Sequence, residues 1–203
     1  MSISTADRRR ISDAIHATER KTSGEIVCVL AEKSSDATAL PIFIAAAIAL
    51  ALPWLLVATT AMPVFRILSL QVVLFIVATV LLCLPRVRVA LIPRKTRRAI
   101  AHRAALEQFV IRGIARTKDR TGILIFVSLA ERYARIVADD GIAARVAQSE
   151  WQGAVDALVA HMREGRIAEG YIAAVEVCGK VLATHFPSDG ATPDELRDRI
   201  YLI

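Results

Sequence analysis

LPIFIAAAIALALPWLLVATTAM, residues 40–62, runs for 23 positions without a charged side chain. At about 1.5 Å per residue, a helix of that length reaches the roughly 30 Å of a bilayer's hydrocarbon core. Pro41 falls in the first turn, where a missing N–H costs least. Pro53 lies inside the run and predicts a kink of the kind membrane helices accommodate. A second apolar run, ILSLQVVLFIVATVLLCL at residues 67–84, follows after only Pro63, Val64, Phe65 and Arg66. So short a connection predicts two antiparallel helices, a transmembrane hairpin. Ala45 and Ala49, at helical spacing, permit their close approach. No ionisable side chain lies within either run, so a proton relay or ion pathway lacks its usual groups.

Basic residues crowd the ends of the hairpin. Arg86, Arg88, Arg94, Lys95, Arg97, Arg98 and Arg103 follow the second run, and Arg20, Lys21 and Lys33 precede the first. The connection holds Arg66 alone. This asymmetry predicts a two-pass protein of the cell membrane with both termini in the cytoplasm. Arg86, Arg88, Arg94, Lys95, Arg97 and Arg98 are expected at the membrane surface, where anionic lipid headgroups are their natural partners. The formal charge of +6 belongs largely to this clustering. Stacking aromatics are not interleaved with it, which argues against nucleic acid as a partner. Cys28, Cys83 and Cys178 stand far apart, each in an apolar run, and form no CxxC pair. A disulfide framework is not expected, in keeping with a reducing compartment. Residues 1–33 are too charged for a secretory signal, so targeting falls to the apolar runs.

The polar parts on either side read as one α/β body. Thr5 to Thr22 predicts a helix with Ile11, Ala14, Ile15 and Thr18 on one face and Thr5 as its N-cap. Glu25 to Ala31 is an unbroken apolar run, the pattern of a strand covered on both faces. After the hairpin, Arg94 to Thr117 predicts a helix with Ile100, Ala104, Phe109 and Ile111 among its apolar positions. Residues 121–129 predict a buried strand, and Tyr133 to Ala138 an antiparallel partner beyond a turn at Glu131-Arg132. Helices are expected at Ile142–Ala147, Glu150–Glu164 and Ala168–Ala183, with Trp151 as a packing anchor and Gly165 between the last two. Thr192-Pro-Asp-Glu195 cues one short terminal helix. The predicted fold is α/β: a small mixed sheet with helices on both faces, interrupted by the transmembrane hairpin. Its parts are residues 1–38 (first helix and strand), 39–85 (hairpin), 86–187 (main soluble part) and 188–203 (tail).

Three segments, in order, resemble the TPM domain family. RTGILIFVSLAERYARIVADDGI, residues 120–142, is similar to the family's paired strands and glycine turn. MREGRIAEG, residues 162–170, resembles its second glycine-spaced segment, although Arg166 stands where the family carries an acidic residue. TSGEIV, residues 22–27, resembles the start of its first strand. The resemblance spans about Ile11 to Pro187, with the hairpin replacing the stretch between the first strand and the second helix. It implies an αβα body, other membrane proteins of the same family as partners, and, since some members are described as phosphatases, a divalent-metal-dependent phosphatase as one activity.

The residues themselves supply little chemistry. Asp139 and Asp140 before Gly141 are the best acidic pair, and oxygen-only ligands on a tight turn suit Ca²⁺ or Mg²⁺. Asp before Gly is also ordinary turn chemistry, so the pair reads as turn or as metal site. Glu131 belongs to the opposite end of the strand pair. His16, His102, His161 and His185 share no ligand spacing. Gly179-Lys180 lacks the rest of a phosphate-binding loop, no G-x-S-x-G occurs, and no cysteine has an arginine six residues on. No catalytic set emerges and no cofactor beyond Ca²⁺ or Mg²⁺ is implied. The leading expectation is a membrane-anchored, non-catalytic interaction or accessory module; the alternative is the phosphatase.

Overall fold

The computed structural model of the chain describes residues 3–33, 39–84, 87, 93–188 and 196–203. It divides into two compact units, Met1–Ser34 with Arg98–Ile203, and Ser35–Arg97. The first unit is built on a four-stranded sheet of order β3-β2-β1-β4: β1 is Glu25–Ala31, β2 Gly122–Ser128, β3 Tyr133–Ala138 and β4 Ile200–Leu202. The pairing of β1 with β2 is parallel, Glu25 opposite Gly122 through Ala31 opposite Ser128. The β2–β3 pair is antiparallel, Ile123 opposite Ala138, and β4 runs parallel to β1 from Cys28 opposite Ile200. All seven residues of β1 and of β2 are buried, as unbroken apolar runs predict for strands covered on both faces.

Alternate side chains of these strands feed two separate cores. Ile26, Cys28, Leu30, Ile123, Ile125, Val127 and Ile136 pack with the helices α1 (Thr5–Glu19), α6 (Gln152–Arg163) and α7 (Ile167–His185). Val27, Val29, Ala31, Leu124 and Phe126 pack on the other face with α4 (Arg94–Ile111) through Ala105 and Phe109. A short α5 (Asp140–Ala143) and two single turns of 3₁₀ helix, Ile114–Arg116 and Gln148–Trp151, complete this unit's described residues. Trp151 is buried in the α6–α7 core, the packing role its size suggests. Tyr171 of α7 crosses that core and donates its hydroxyl proton to the Val29 carbonyl at 2.6 Å, which satisfies the one polar atom it takes inside.

Several local expectations shift by a residue or an element. Ser4 rather than Thr5 caps α1, its hydroxyl accepting from the Asp7 N–H at 3.0 Å. The helix after the hairpin stops at Ile111, because Gly113 takes a left-handed conformation and tightens the chain into a 3₁₀ turn; Ile111 itself is exposed. Its buried residues are Ala101, Ala105 and Phe109, of which the last two pack against the sheet. Glu150 belongs to a 3₁₀ turn, and α6 starts at Gln152. The tail, expected to carry no strand, carries β4. The helix cued at Thr192–Glu195 lies outside the described residues.

The second unit is a pair of apolar helices in direct contact, α2 (Ala39–Thr59) and α3 (Val64–Cys83). Both are long and apolar enough to cross a membrane. Their connection is Thr60–Pro63 rather than residues 63–66, so Arg66 sits in the first turn of α3. Ala45 and Ala49 are buried on α2, as is Ile67 on α3. Most of the large apolar side chains are exposed, including Trp54 at 82%, Phe65 at 81% and Phe43 at 75%. Hydroxyls inside the pair bond back to their own helix: Thr59 to the Leu55 carbonyl at 2.8 Å and Ser69 to that of Phe65 at 2.9 Å. That internal pairing spares these two hydroxyls the need for water.

Close approach of α1 to α7 depends on Gly179. A Cβ there would overlap the methyl of Thr18, so the helix backbone itself forms the contact surface. Gly179→Ala is expected to cost about 1–3 kcal/mol by overpacking. Thr18→Ser, which deletes the opposing methyl, should restore most of that loss. Denaturant unfolding followed by Trp151 fluorescence, in a Trp54→Phe background, measures both; equal costs with and without Thr18→Ser would refute the contact.

Candidate functional site

Asp139 and Asp140 follow directly on β3, where the chain turns back against the start of β2. The Asp139 N–H donates to the Gly122 carbonyl at 2.9 Å, extending the β2–β3 ladder by one bond. Asp139 then caps α5: its carboxylate accepts from the Asp140 N–H at 2.7 Å, while its carbonyl accepts from Ile142 and Ala143. Gly141 is required here by space, since a Cβ would stand 2.6 Å from the carbonyl oxygens of both Asp119 and Arg120. The turn is therefore pressed onto the backbone that leads into β2.

Arg120 closes the arrangement. Its Nε lies 3.1 and 3.3 Å from the two Asp139 carboxylate oxygens, and its Nη2 is 2.9 Å from Asp139 Oδ1 and 2.9 Å from Asp140 Oδ2. One guanidinium thus serves both carboxylates. Hydrogen bonding to Asp139, then the charge of that carboxylate, raises the Arg120 pKa further, with Asp140 adding to it. Asp139 is buried, its side chain 2% exposed, whereas that of Asp140 is 86% exposed. Arg120 takes this position with φ +53°, the left-handed region that costs a non-glycine residue about 1–2 kcal/mol. The acidic pair is visible in the sequence, and its cation is not. Arg120 belongs to no chemical motif, and nothing but its place before β2 marks it.

The other candidates are dispersed. Glu131 sits in the β2–β3 turn, at the far end of the strand pair, in a hydrogen bond with Ser128. His161 Nδ1 lies 2.9 Å from the Ala157 carbonyl, and His185 faces Glu150 at 3.6 Å. His102 on α4 has its pKa lowered by burial and by the charge of Arg135. Among the described residues no three His, Cys, Asp or Glu side chains are grouped to hold a metal. Arg94, Lys95 and Arg98 are exposed on the first turns of α4, and Arg97 is half-buried. Arg86 and Arg88 lie outside the described residues.

A second carboxyl group of interest went unread in the sequence. Glu19, at the end of α1, accepts from the Ile26 N–H at 2.7 Å, with the carboxyl of Asp198, just before β4, beside it. Burial first, then that neighbouring carboxyl, pushes its pKa up to about 10. No spacing signal links positions so far apart; only the fold brings them together.

Residues 85–181, a little under half of the chain, match the family model of the TPM domain. The match takes in β2, β3, the Asp139–Gly141 turn and most of α7, and leaves residues 22–27 outside it. The chain is similar in structure to the BA42 protein of the psychrophilic bacterium Bizionia argentinensis, with a TM-score of 0.63 at 19% identity over 100% of this chain and 97% of that one. That likeness is one of fold. No curated protein matches.

The unequal burial of the two carboxylates makes the ion-pair reading testable. Arg120→Ala should cost about 2 kcal/mol, because Asp139 is left buried with the Asp140 N–H as its main donor. Arg120→Gly should cost about 1 kcal/mol less, since it also relieves the left-handed backbone. Asp140→Ala should stay within about 0.5 kcal/mol, as expected of an exposed pair. Denaturation midpoints for the three variants decide it; an Asp140→Ala loss as large as that of Arg120→Ala would be incompatible with this ranking.

Proposed function

We propose that this chain is an integral membrane protein, two-pass with both termini cytoplasmic, whose TPM-like α/β domain works as a non-catalytic interaction or accessory module. The observation that carries the reading is the surface of the α2–α3 pair. It is uncharged apart from Arg66 in the first turn of α3, and it exposes Phe43, Trp54, Phe65 and most of its other large apolar side chains. An apolar area of that extent is stable in hydrocarbon and a liability in water. The basic first turns of α4, with Arg86 and Arg88 before them in the sequence, fit the headgroups of anionic lipids on the cytoplasmic side. The carboxylates that resemblance offers for chemistry are tied to Arg120, which supports an interaction role over a catalytic one. Other membrane proteins, including members of the same family, are the partners this reading favours.

Two measurements test it. The chain should remain in the membrane fraction after alkaline carbonate washing, and Trp54 fluorescence should be quenched by bromine-labelled acyl chains. Release into the supernatant would remove the membrane reading. Capture from native membranes should then return partner proteins above a hairpin-only control; recovery equal to the control would remove the interaction reading.

One observation favours a second reading, a divalent-metal-dependent phosphatase: Asp140 keeps its carboxylate in solvent beside Asp139, within the segment matched to the TPM domain. Asp139 and Asp140 are the residues that would hold Ca²⁺ or Mg²⁺ there, in competition with Arg120. Titration of the detergent-solubilised chain with Ca²⁺ and Mg²⁺, beside the Asp139→Asn/Asp140→Asn variant, separates the two. The interaction reading expects no saturable site; one-site binding lost in the variant, with hydrolysis of a phosphate ester lost in parallel, would replace it with the phosphatase.

A further inference from the structure

Exposed large apolar side chains are not scattered over the α/β unit. Among its described residues they are Leu106, Val110 and Ile111 on the C-terminal half of α4, and Leu202 and Ile203 at the end of β4. The others in the chain all fall within residues 40–87. Isolated exposed apolar residues are ordinary, whereas a cluster of them marks a surface that something else covers. Val110 and Ile111 are 66% and 67% exposed. The helix has already used one face for Ala101, Ala105 and Phe109, and Leu106 and Val110, four residues apart, form a second stripe turned away from it.

One aromatic ring joins the two elements. Arg112, next after α4, holds its guanidinium carbon 4.0 Å from the centre of the Tyr201 ring on β4, and Arg199, just before β4, lies 4.6 Å from the same centre. The Arg112 Nε also donates to Gln108 at 3.1 Å. Two cations on one ring stand closer together than the Debye length of about 10 Å at 0.1 M salt, and so repel. Neither is in an ion pair with a carboxylate among the described residues. The acidic side chains nearest in sequence are engaged elsewhere, Glu107 with Arg103 at 3.1 Å and Asp198 with His16 at 2.9 Å. Tyrosine and arginine held in place beside exposed aliphatic side chains have the composition of the residues that carry most of the energy in protein–protein contacts. We propose that the C-terminal half of α4, together with β4, is the docking surface for an acidic amphipathic segment of a partner protein, its apolar side chains covering Val110 and Ile111 and its carboxylates pairing with Arg112 and Arg199.

This rests on the reading of the domain as an interaction module, and adds its surface and the chemistry of its partner. Charge selects the occupant. A second copy in symmetric contact would set the same two guanidiniums against each other. An anionic bilayer would satisfy the charge, but the groups suited to headgroups, Arg94, Lys95 and Arg98, lie on the first turns of α4. At a rise of about 1.5 Å per residue that is roughly 20 Å or more from Arg112. The planar fork of a guanidinium fits a carboxylate through two parallel hydrogen bonds, and a ring that fixes the fork lowers the entropy lost on pairing.

The test is photo-crosslinking of the full chain in native membranes, with p-benzoylphenylalanine in place of Val110 or, as control, of the exposed Lys180 on α7. The crosslinked peptides are then sequenced. The Val110 position should yield a segment of another protein in which Asp and Glu alternate with apolar residues, and the yield should fall at least about fivefold in Arg112→Glu/Arg199→Glu. That segment, made as a synthetic peptide, should bind the detergent-solubilised chain and lose about tenfold or more in affinity for the same variant. Where the double charge reversal disturbs the fold, Arg199→Gln at its exposed site should lower both readings in the same direction. Adducts to lipid, to a second copy of this chain or to a segment without net negative charge would overturn the proposal. So would a yield no higher than at Lys180, or one that charge reversal leaves unchanged. If partner capture persists while the Val110 position crosslinks nothing, this surface is overturned and the interaction-module reading stands; if capture is lost as well, both fall.

Discussion

Everything in the α/β unit hangs on the parallel register of β1 with β2. In the sequence the two strands are separated by the whole of the α2–α3 pair and by α4, yet they meet residue for residue from Glu25–Gly122 to Ala31–Ser128. Both are buried throughout, so each side chain has an assigned core: Ile26 and Cys28 toward α1 and α7, Val27 and Val29 toward α4. A slip of one residue would exchange the two sets and send each into a core shaped for the other. The register is in turn pinned at its Gly122 end, where Asp139 extends the ladder and Arg120 is fixed by the same carboxylate. The acidic turn thus closes the β2–β3 ladder at the end where the register of the central pair begins.

How much of this the sequence disclosed depended on the range of the interaction involved. Runs such as Ile26–Leu30 and Ile123–Val127 announce buried strands, because period and composition are local properties. The two uncharged stretches before and after Pro63 announce long apolar helices for the same reason. Boundaries set by one backbone angle were less legible: Gly113 ends α4 early, and a serine one position upstream takes the cap expected of Thr5. β4 is not legible because Ile200-Tyr-Leu202 is too short to show alternation, and the residue before it is tied by Ser12 and His16 on a helix far away in the sequence.

The candidate site divides in the same way. Asp139-Asp140-Gly141 is visible as a motif, and the glycine's reason, the two carbonyls against which it is pressed, is visible only in three dimensions. Neighbours in sequence, the two aspartates have opposite surroundings: one is buried and caps a helix, the other stands in solvent. A reading by residue type treats them as an equivalent pair of ligands. The fold buries one of them and leaves the other in solvent, both on the same guanidinium, and that asymmetry could not be read from two identical letters.

The separation of β1 from β2 also sets an order of events during synthesis. β1 leaves the ribosome as a strand with two apolar faces and no partner, and its partner begins at Gly122, after both long helices and α4 have been made. A strand that must wait so long for a non-local pairing is exposed to wrong ones, and such contacts form slowly. The apolar pair is complete in the chain well before the partner strand that closes the sheet has been made. Folding of this protein is therefore a matter of scheduling: any delay between α3 and β2 lengthens the interval in which β1 is open to aggregation.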